Sequence, residues 1–263
     1  MGEQALRTRL QLEILRQPDE TTCGPTCLHA IYRYYGLELP LAQLIEEVHR
    51  LEDGGTLAVF LACHALERGF RATIYTYNLQ IFDPTWFRPG APPLAERLER
   101  QLAYKSDPKF QLATRGYLEY LRRGGRVAFE DLSPRLIRRY LDRRVPILTG
   151  LSATYLYRSM REYGPDNEED DLRGEPQGHF VVLCGYDRPS RTVLVADPWL
   201  PNPLSTDHLY EIPIERVVGA ILLGILTYDA NLLILEPLAP RAGGAAERSL
   251  PPAAPAAPVP PAG

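Results

Sequence analysis

Lysine is nearly missing from this 263-residue chain: Lys105 and Lys109 are the only two, and arginine supplies the rest of its 29 basic residues. Against 33 acidic residues that leaves a formal net charge of −4. The basic excess that a phosphate backbone demands is absent, so no nucleic-acid partner is expected. The shortage of Lys, with abundant Ala and Pro, reads as nucleotide composition rather than as chemistry. Long apolar runs are also missing. The first twenty residues, MGEQALRTRLQLEILRQPDE, are interrupted by charge throughout and do not make a secretion signal. The most apolar window, Val217 to Tyr228, is too short to span a bilayer and suits a buried element. Cysteine is scarce, with four residues at no small-domain spacing. That pattern points to reduced thiols in a cytoplasm rather than to a disulfide framework.

What is present is ordinary globular composition, 45% hydrophobic and 24% charged, in a chain long enough to bury a core without staples or metals. A strand is expected over Leu10 to Arg16, ending where Pro18 forces extended backbone on Gln17. A helix capped by Thr21 or Thr22 should run from Cys23 to Gly36, with Cys27, Leu28, Ile31, Tyr34 and Tyr35 at helical spacing. A second helix follows over Leu39 to Leu51, and a third opens after Asp53-Gly54-Gly55 with Thr56 as its cap. Phe70 to Asn78 reads as a strand. Phe82 to Arg144 is rich in Pro and Arg and reads as an irregular helical insertion. Strands then follow at Val145 to Leu151, His179 to Asp187 and Arg191 to Pro198, with an edge strand at Leu233 to Leu235. From Pro240 to Gly263 the chain is a Pro/Ala tail expected to be disordered. Helices first and sheet second give an α+β class, with one domain over residues 1–239.

The most informative stretch is QPDETTCGPTC, Gln17 to Cys27. A thiol in the first turn of a helix feels the positive dipole end and unpaired N–H groups, both of which favour thiolate. Gly24 would admit a substrate backbone, and Pro25 is tolerated where its missing N–H costs nothing. The Gln17 side-chain amide, six residues earlier, would donate to an oxygen that turns negative during acyl transfer. A thiolate nucleophile needs a base, and the base an orienting group. His179 opens one strand and Asp197 ends the next. If the two pair around a turn at Asp187 to Arg191, the imidazole and carboxylate meet at one sheet edge, provided the register allows it.

These residues resemble the double-glycine leader peptidases, the bacteriocin-processing cysteine peptidases of the papain clan. The family carries a Gln six residues before Cys-Gly, a helix ending in Tyr-Gly, a His-Phe/Tyr-Val-Val strand and an Asp-Pro. Here those are Gln17, Cys23-Gly24, Tyr35-Gly36, His179-Phe180-Val181-Val182 and Asp197-Pro198. The likeness spans about Leu10 to Leu204. It implies a papain-like fold with N-terminal helices packed on a C-terminal antiparallel sheet. It also implies thiol proteolysis of a peptide or protein substrate, no cofactor and no metal. The catalytic set it implies is Cys23, His179, Asp197 and Gln17, in a stand-alone member without transporter domains. Cys27 departs from the family, which has a small residue there, and residues 82–144 and the acidic loop before His179 are enlarged.

Plainer readings stand beside these. A helical Cys is usually a small buried hydrophobe, and that is the reading taken for Cys27 and Cys184. Cys23, Cys27, Cys63 and His64 would be the set for a zinc site, although their spacing is unlike a zinc knuckle. The same shell would also serve a thiol acyltransferase or a non-catalytic module that binds a peptide. Two charged stretches bear on the substrate. The arginines between Arg115 and Arg144 form either a solvated face or a docking surface for an acidic peptide. Glu162 to Glu175 is an acidic loop leading into His179, expected to be mobile and to lie where a lid would.

Overall fold

The structure, a computed structural model, describes residues 7–51 and 54–239, so Asp53 and the Pro/Ala tail lie outside the described residues. The N-terminal half contributes β1 (Arg7–Arg9), α1 (Cys23–Tyr34), α2 (Leu41–Glu47), α3 (Ala58–Glu67) and β2 (Phe70–Thr76). The middle adds α4 (Leu94–Leu102), α5 (Pro108–Arg122), β3 (Arg126–Ala128) and α6 (Pro134–Leu141). Then come β4 (Ile147–Ser152), α7 (Ala153–Tyr157), β5 (Glu162–Tyr163), β6 (Glu168–Glu169), β7 (Gly178–Asp187) and β8 (Thr192–Ala196). The chain closes with β9 (Leu209–Pro213), α8 (Ile214–Leu223) and β10 (Asn231–Pro237). The class is α+β. Among the described residues no helix is long and apolar enough to cross a membrane.

One eight-stranded sheet organises these elements, in the order β3-β2-β10-β4-β7-β8-β9, with β1 added to β7. All pairs are antiparallel except β2 with β3. The sheet is therefore mixed, not purely antiparallel, and it draws on both halves of the chain. β4 and most of β7 are buried on both faces, which requires cover on both sides. Helix α1 packs on β7, α3 on β2 and α8 on β4.

Several expectations change, each for an identifiable reason. The first strand lies at Arg7 to Arg9, ahead of the expected Leu10 to Arg16, which forms no strand although Leu10, Leu12 and Ile14 still alternate inward. β1 takes the edge of β7 at Gly185 to Asp187, where β4 does not reach; over Gly178 to Leu183 β4 occupies that edge. Leu233 to Leu235 belong to a central strand, because β10 is hydrogen-bonded to β2 on one side and β4 on the other. Thr56 does not cap α3; its hydroxyl donates to the His49 carbonyl at 2.7 Å. Thr22 precedes α1, but its hydroxyl turns back to the Asp19 carbonyl at 3.1 Å instead of capping. Gly36 adopts φ +76°, the left-handed backbone that ends α1.

Residues 82–144 supply β3 to the main sheet and bury Phe82, Leu98, Phe110, Tyr117 and Tyr120 in the core. Tyr120 does the fastening. Its fully buried hydroxyl lies 2.8 Å from the Ala72 carbonyl on β2 and 3.0 Å from the Arg126 carbonyl on β3, and it accepts from the Arg126 N–H at 3.1 Å. Tyr120→Phe leaves these buried groups short of a partner, which costs about 1–3 kcal/mol. Urea denaturation should show that loss; an unchanged midpoint would mean that the strand pairing holds itself.

Candidate active site

Helix α1 begins at Cys23, so the thiol sits in the first turn, half-buried. Just upstream, the Asp19 carboxylate accepts from the Thr21 N–H at 2.9 Å and the Thr21 hydroxyl at 2.8 Å, a local turn that delivers the chain into the helix. Gly24 is not a gap for substrate. A β carbon there would stand 2.7 Å from Thr56 and 3.2 Å from Leu61 and Phe180, so the glycine lets α1 press onto its neighbours.

His179 is the second residue of β7, and Asp197 directly follows β8. The hairpin predicted around Asp187 to Arg191 forms, with Asp187 opposite Thr192. Register decides whether the two side chains share a face. Counting from the turn without interruption, Asp197 would stand opposite Val182, on the wrong side of the sheet from His179. A bulge between Leu183 and Gly185 shifts the register so that Val182 faces Ala196. Asp197 then continues opposite Val181, and residues 179 and 181 lie on one face. His179 Nε2 lies 2.9 Å from Asp197 Oδ1.

The carboxylate is completely buried and well supplied with donors. The Trp199 N–H donates to Oδ1 at 2.9 Å, while the hydroxyls of Tyr157 and Tyr210 donate to Oδ2 at 2.5 and 2.8 Å. Burial opposes its charge, yet the His179 charge and these hydrogen bonds hold it below the usual carboxylate range. Burial also works against charging His179; the Asp197 carboxylate and the nearby Cys23 sulfur outweigh it and push the imidazole up to about 10. With Nε2 on Asp197, Nδ1 is left for the sulfur. The rings of Tyr157 and Trp199 stand 6.1 and 6.3 Å from the imidazole.

Gln17 is tied beside this group by its backbone N–H, which donates to the Pro198 carbonyl at 2.9 Å. Its side-chain Nε2 donates to the Asp19 carbonyl at 2.9 Å, and among the described residues its buried Oε1 has no hydrogen-bond partner. One amide hydrogen is thus already engaged and the second remains for another acceptor.

Cys27 lies under the site with its thiol 3.2 Å from the Phe180 carbonyl, fully buried, and burial beside Cys23 pushes its titration well up. Cys184 is likewise fully buried. The four residues considered for zinc do not gather. Both ring nitrogens of His64 are taken, by Tyr32 and Glu47, each at 2.8 Å. No three metal-ligating side chains group together among the described residues.

Cys23 opens onto a cavity of about 290 Å³, lined also by Glu20, Lys109, Asn167, Thr227 and Asp229. Sequence reading missed Tyr157, Tyr210 and Asp229, which sit in segments with no local motif. Burial raises the Asp229 carboxyl to about 7, against opposing effects from a Thr227 hydrogen bond and the charges of Lys109 and His179. The acidic loop before His179 contains the hairpin β5–β6, and Asn167 at its turn donates to Glu20 at 2.7 Å. Much of the arginine surface is already paired: Arg122 with Glu119, Arg123 with Glu119 and Glu67, Arg139 with Glu130, and Arg143 with Glu236.

Two family models match the chain in sequence order. "Peptidase C39 family" covers residues 11–89, with Cys23, and "Peptidase_C39 like family" covers residues 107–216, with His179 and Asp197. Both models describe C39 peptidases, and together they take in residues 11–89 and 107–216. These matches make the chain a cysteine-type peptidase. No curated protein matches the chain. Among solved structures, the chain is similar to a double glycine motif protease from an AMS/PCAT transporter, determined in complex with the leader peptide. That match has 16% identity, TM-score 0.42, and covers 88% of this chain and 94% of the other. It is also similar to the peptidase domain of Streptococcus ComA, a bi-functional ABC transporter, at 15% identity and TM-score 0.41, covering 86% and 99%. Xylellain, a cysteine protease from Xylella fastidiosa, gives 15% identity and TM-score 0.45, covering 88% and 86%.

The pairing of His179 with Asp197 sets a pH signature. A value raised above 6.5 in the fold contributes stability that is full below pH 6.5 and fades as pH rises toward about 10. In NMR titrations with labelled histidine, His179 should hold its proton well into the alkaline range. In Asp197→Asn its value should fall toward or below 6.5, and the alkaline loss of stability should shrink. An unshifted His179 titration in that variant would contradict the pairing.

Proposed function

We propose that Cys23, His179 and Asp197 act as a catalytic triad that hydrolyses a peptide or isopeptide bond through a thioester. The single observation that carries the reading is the His179–Asp197 bond beside the Cys23 sulfur, at the mouth of a helix. Asp197 holds the Nε2 proton and leaves Nδ1 to exchange a proton with sulfur. The Cys23 thiolate attacks the substrate carbonyl. The Cys23 backbone N–H and the second Gln17 amide hydrogen serve the oxyanion. His179 then protonates the leaving amine, and a water activated by the same imidazole cleaves the thioester. Tyr157 and Tyr210 act through Asp197 as positioning residues. Transfer of the acyl group to an amine would use the same residues; hydrolysis is the reading taken here, with a peptide or protein segment as substrate.

A thiol-directed activity probe with mass mapping tests the assignment. Cys23 should carry the label, Cys23→Ala should abolish turnover, and His179→Ala should cost several orders of magnitude. Gln17→Ala should lower kcat about 10²–10³-fold if its amide serves the oxyanion. Labelling at Cys63 with full turnover in Cys23→Ala would end the proposal.

The hairpin turn bonded to Glu20 lines the cavity beside Cys23, and it is taken as a lid over the substrate. Removing residues 166–171 should therefore alter KM, and identical kinetics in the shortened protein would leave the hairpin a passive connection.

A further inference from the structure

The cavity beside Cys23 contains a carboxyl group that the triad does not use. Asp229 is only 5% exposed and lines that cavity. Among the described residues its carboxyl takes one hydrogen bond, from the Thr227 hydroxyl to Oδ2 at 2.8 Å. A carboxylate has about four acceptor positions, so much of its capacity is unmet. The surrounding backbone is cleared for it. A β carbon on Gly150 would stand 2.7 Å from Asp229 Cβ and Oδ1, and one on Gly178 would stand 2.6 Å from Oδ2. Both glycines have ordinary backbone angles, so space rather than conformation calls for them. They lie on the paired strands β4 and β7, and Gly178 immediately precedes His179. Two strands thus forgo side chains where the carboxyl sits.

Nearby charge says which ligand suits the place. Lys109 lines the same cavity, with its Nζ 5.5 Å from the centre of the Tyr228 ring. It acts on Asp229 through charge and, among the described residues, forms no ion pair with it. Glu20 also lines the cavity, and the acidic hairpin reaches it through Asn167. The pocket therefore presents two carboxylates against one lysine. A buried acceptor that is short of donors gains most from a charged one.

We infer that Asp229, with Thr227 beside it, forms a specificity subsite of the Cys23 cleft that receives a cation, an ammonium or guanidinium group, carried by the substrate. The inference rests on the peptidase reading for the substrate being a peptide.

A pair of small thiol reagents tests the subsite without requiring turnover. Methyl methanethiosulfonate is neutral and its 2-aminoethyl counterpart is cationic; each forms a disulfide with the Cys23 thiolate and releases methanesulfinate. Modification of Cys23 is followed by mass mapping at about pH 8, where thiolates react, and each rate is divided by that of 2-mercaptoethanol. The corrected cationic-to-neutral ratio should be about tenfold in the parent and should fall at least about fivefold in Asp229→Asn. It should rise in Lys109→Met, which removes the competing charge. An equal ratio in parent and Asp229→Asn overturns the inference. Should Asp229→Asn fail to fold, an unmoved ratio in Lys109→Met overturns it instead.

Internally quenched peptides then identify the source of the cation. Lys or Arg scanned against norleucine reports a side chain, and free against acetylated N-termini reports a terminal ammonium. A preference for either that is lost in Asp229→Asn supports the subsite, and peptides cleaved with no such preference overturn it. If no peptide is cleaved while the reagent ratios behave as expected, the peptidase reading fails and the cation subsite stands.

Discussion

The site depends on keeping one carboxylate charged in a place without water. Asp197 is fully enclosed and takes hydrogen bonds from an imidazole, a backbone amide and two phenols. An isolated carboxylate there would become neutral. The imidazole makes ionisation tolerable, and the phenols fix the direction in which the free lone pairs point. The two phenols remain protonated because burial and the adjacent carboxylate push their own titration up. Each member of the cluster thus holds its neighbour in the protonation state that lets it donate or accept.

That arrangement requires three separate parts of the fold to arrive together. Helix α1 brings the sulfur, the hairpin of β7 and β8 brings the imidazole and carboxylate, and α7 and β9 bring the tyrosines. The Gln17-to-Pro198 backbone bond joins the first part to the second, so the segment before the helix and the loop after β8 cannot move independently. Tight contact between α1 and β7 is possible because residue 24 has no side chain.

How much of this was legible depended on whether the information was local. The helix carrying Cys23, the hairpin carrying His179 and Asp197, and the α+β order follow from periodicity, glycine and turn residues. The aromatic supports did not, because Tyr157 and Tyr210 are 40 and 13 residues from Asp197 and only the assembled sheet brings them close. From sequence alone Leu233 to Leu235 read as an edge, because a short apolar strand looks the same wherever it pairs; the central position of β10 is a property of β2 and β4. The segment from Phe82 to Arg144 looked irregular because its Arg-rich helix faces obscure a narrow apolar stripe, yet Tyr120 and Val127 anchor it in the core. Asp229 gave no signal, since a lone acidic residue after Tyr is indistinguishable from a turn.

The irregularity at Cys184 sets a parity rule for this hairpin. Losing the extra residue between Leu183 and Gly185 would keep Leu183 opposite Val195 and Asp197 opposite Val181, so this strand has one residue of slack. Losing one residue from the facing β8 strand with the bulge kept would instead bring Asp197 opposite Val182 and send its side chain to the opposite surface. A lineage could therefore shorten β7 at the bulge and keep its chemistry, whereas one that shortened β8 alone would keep its sheet while losing its chemistry.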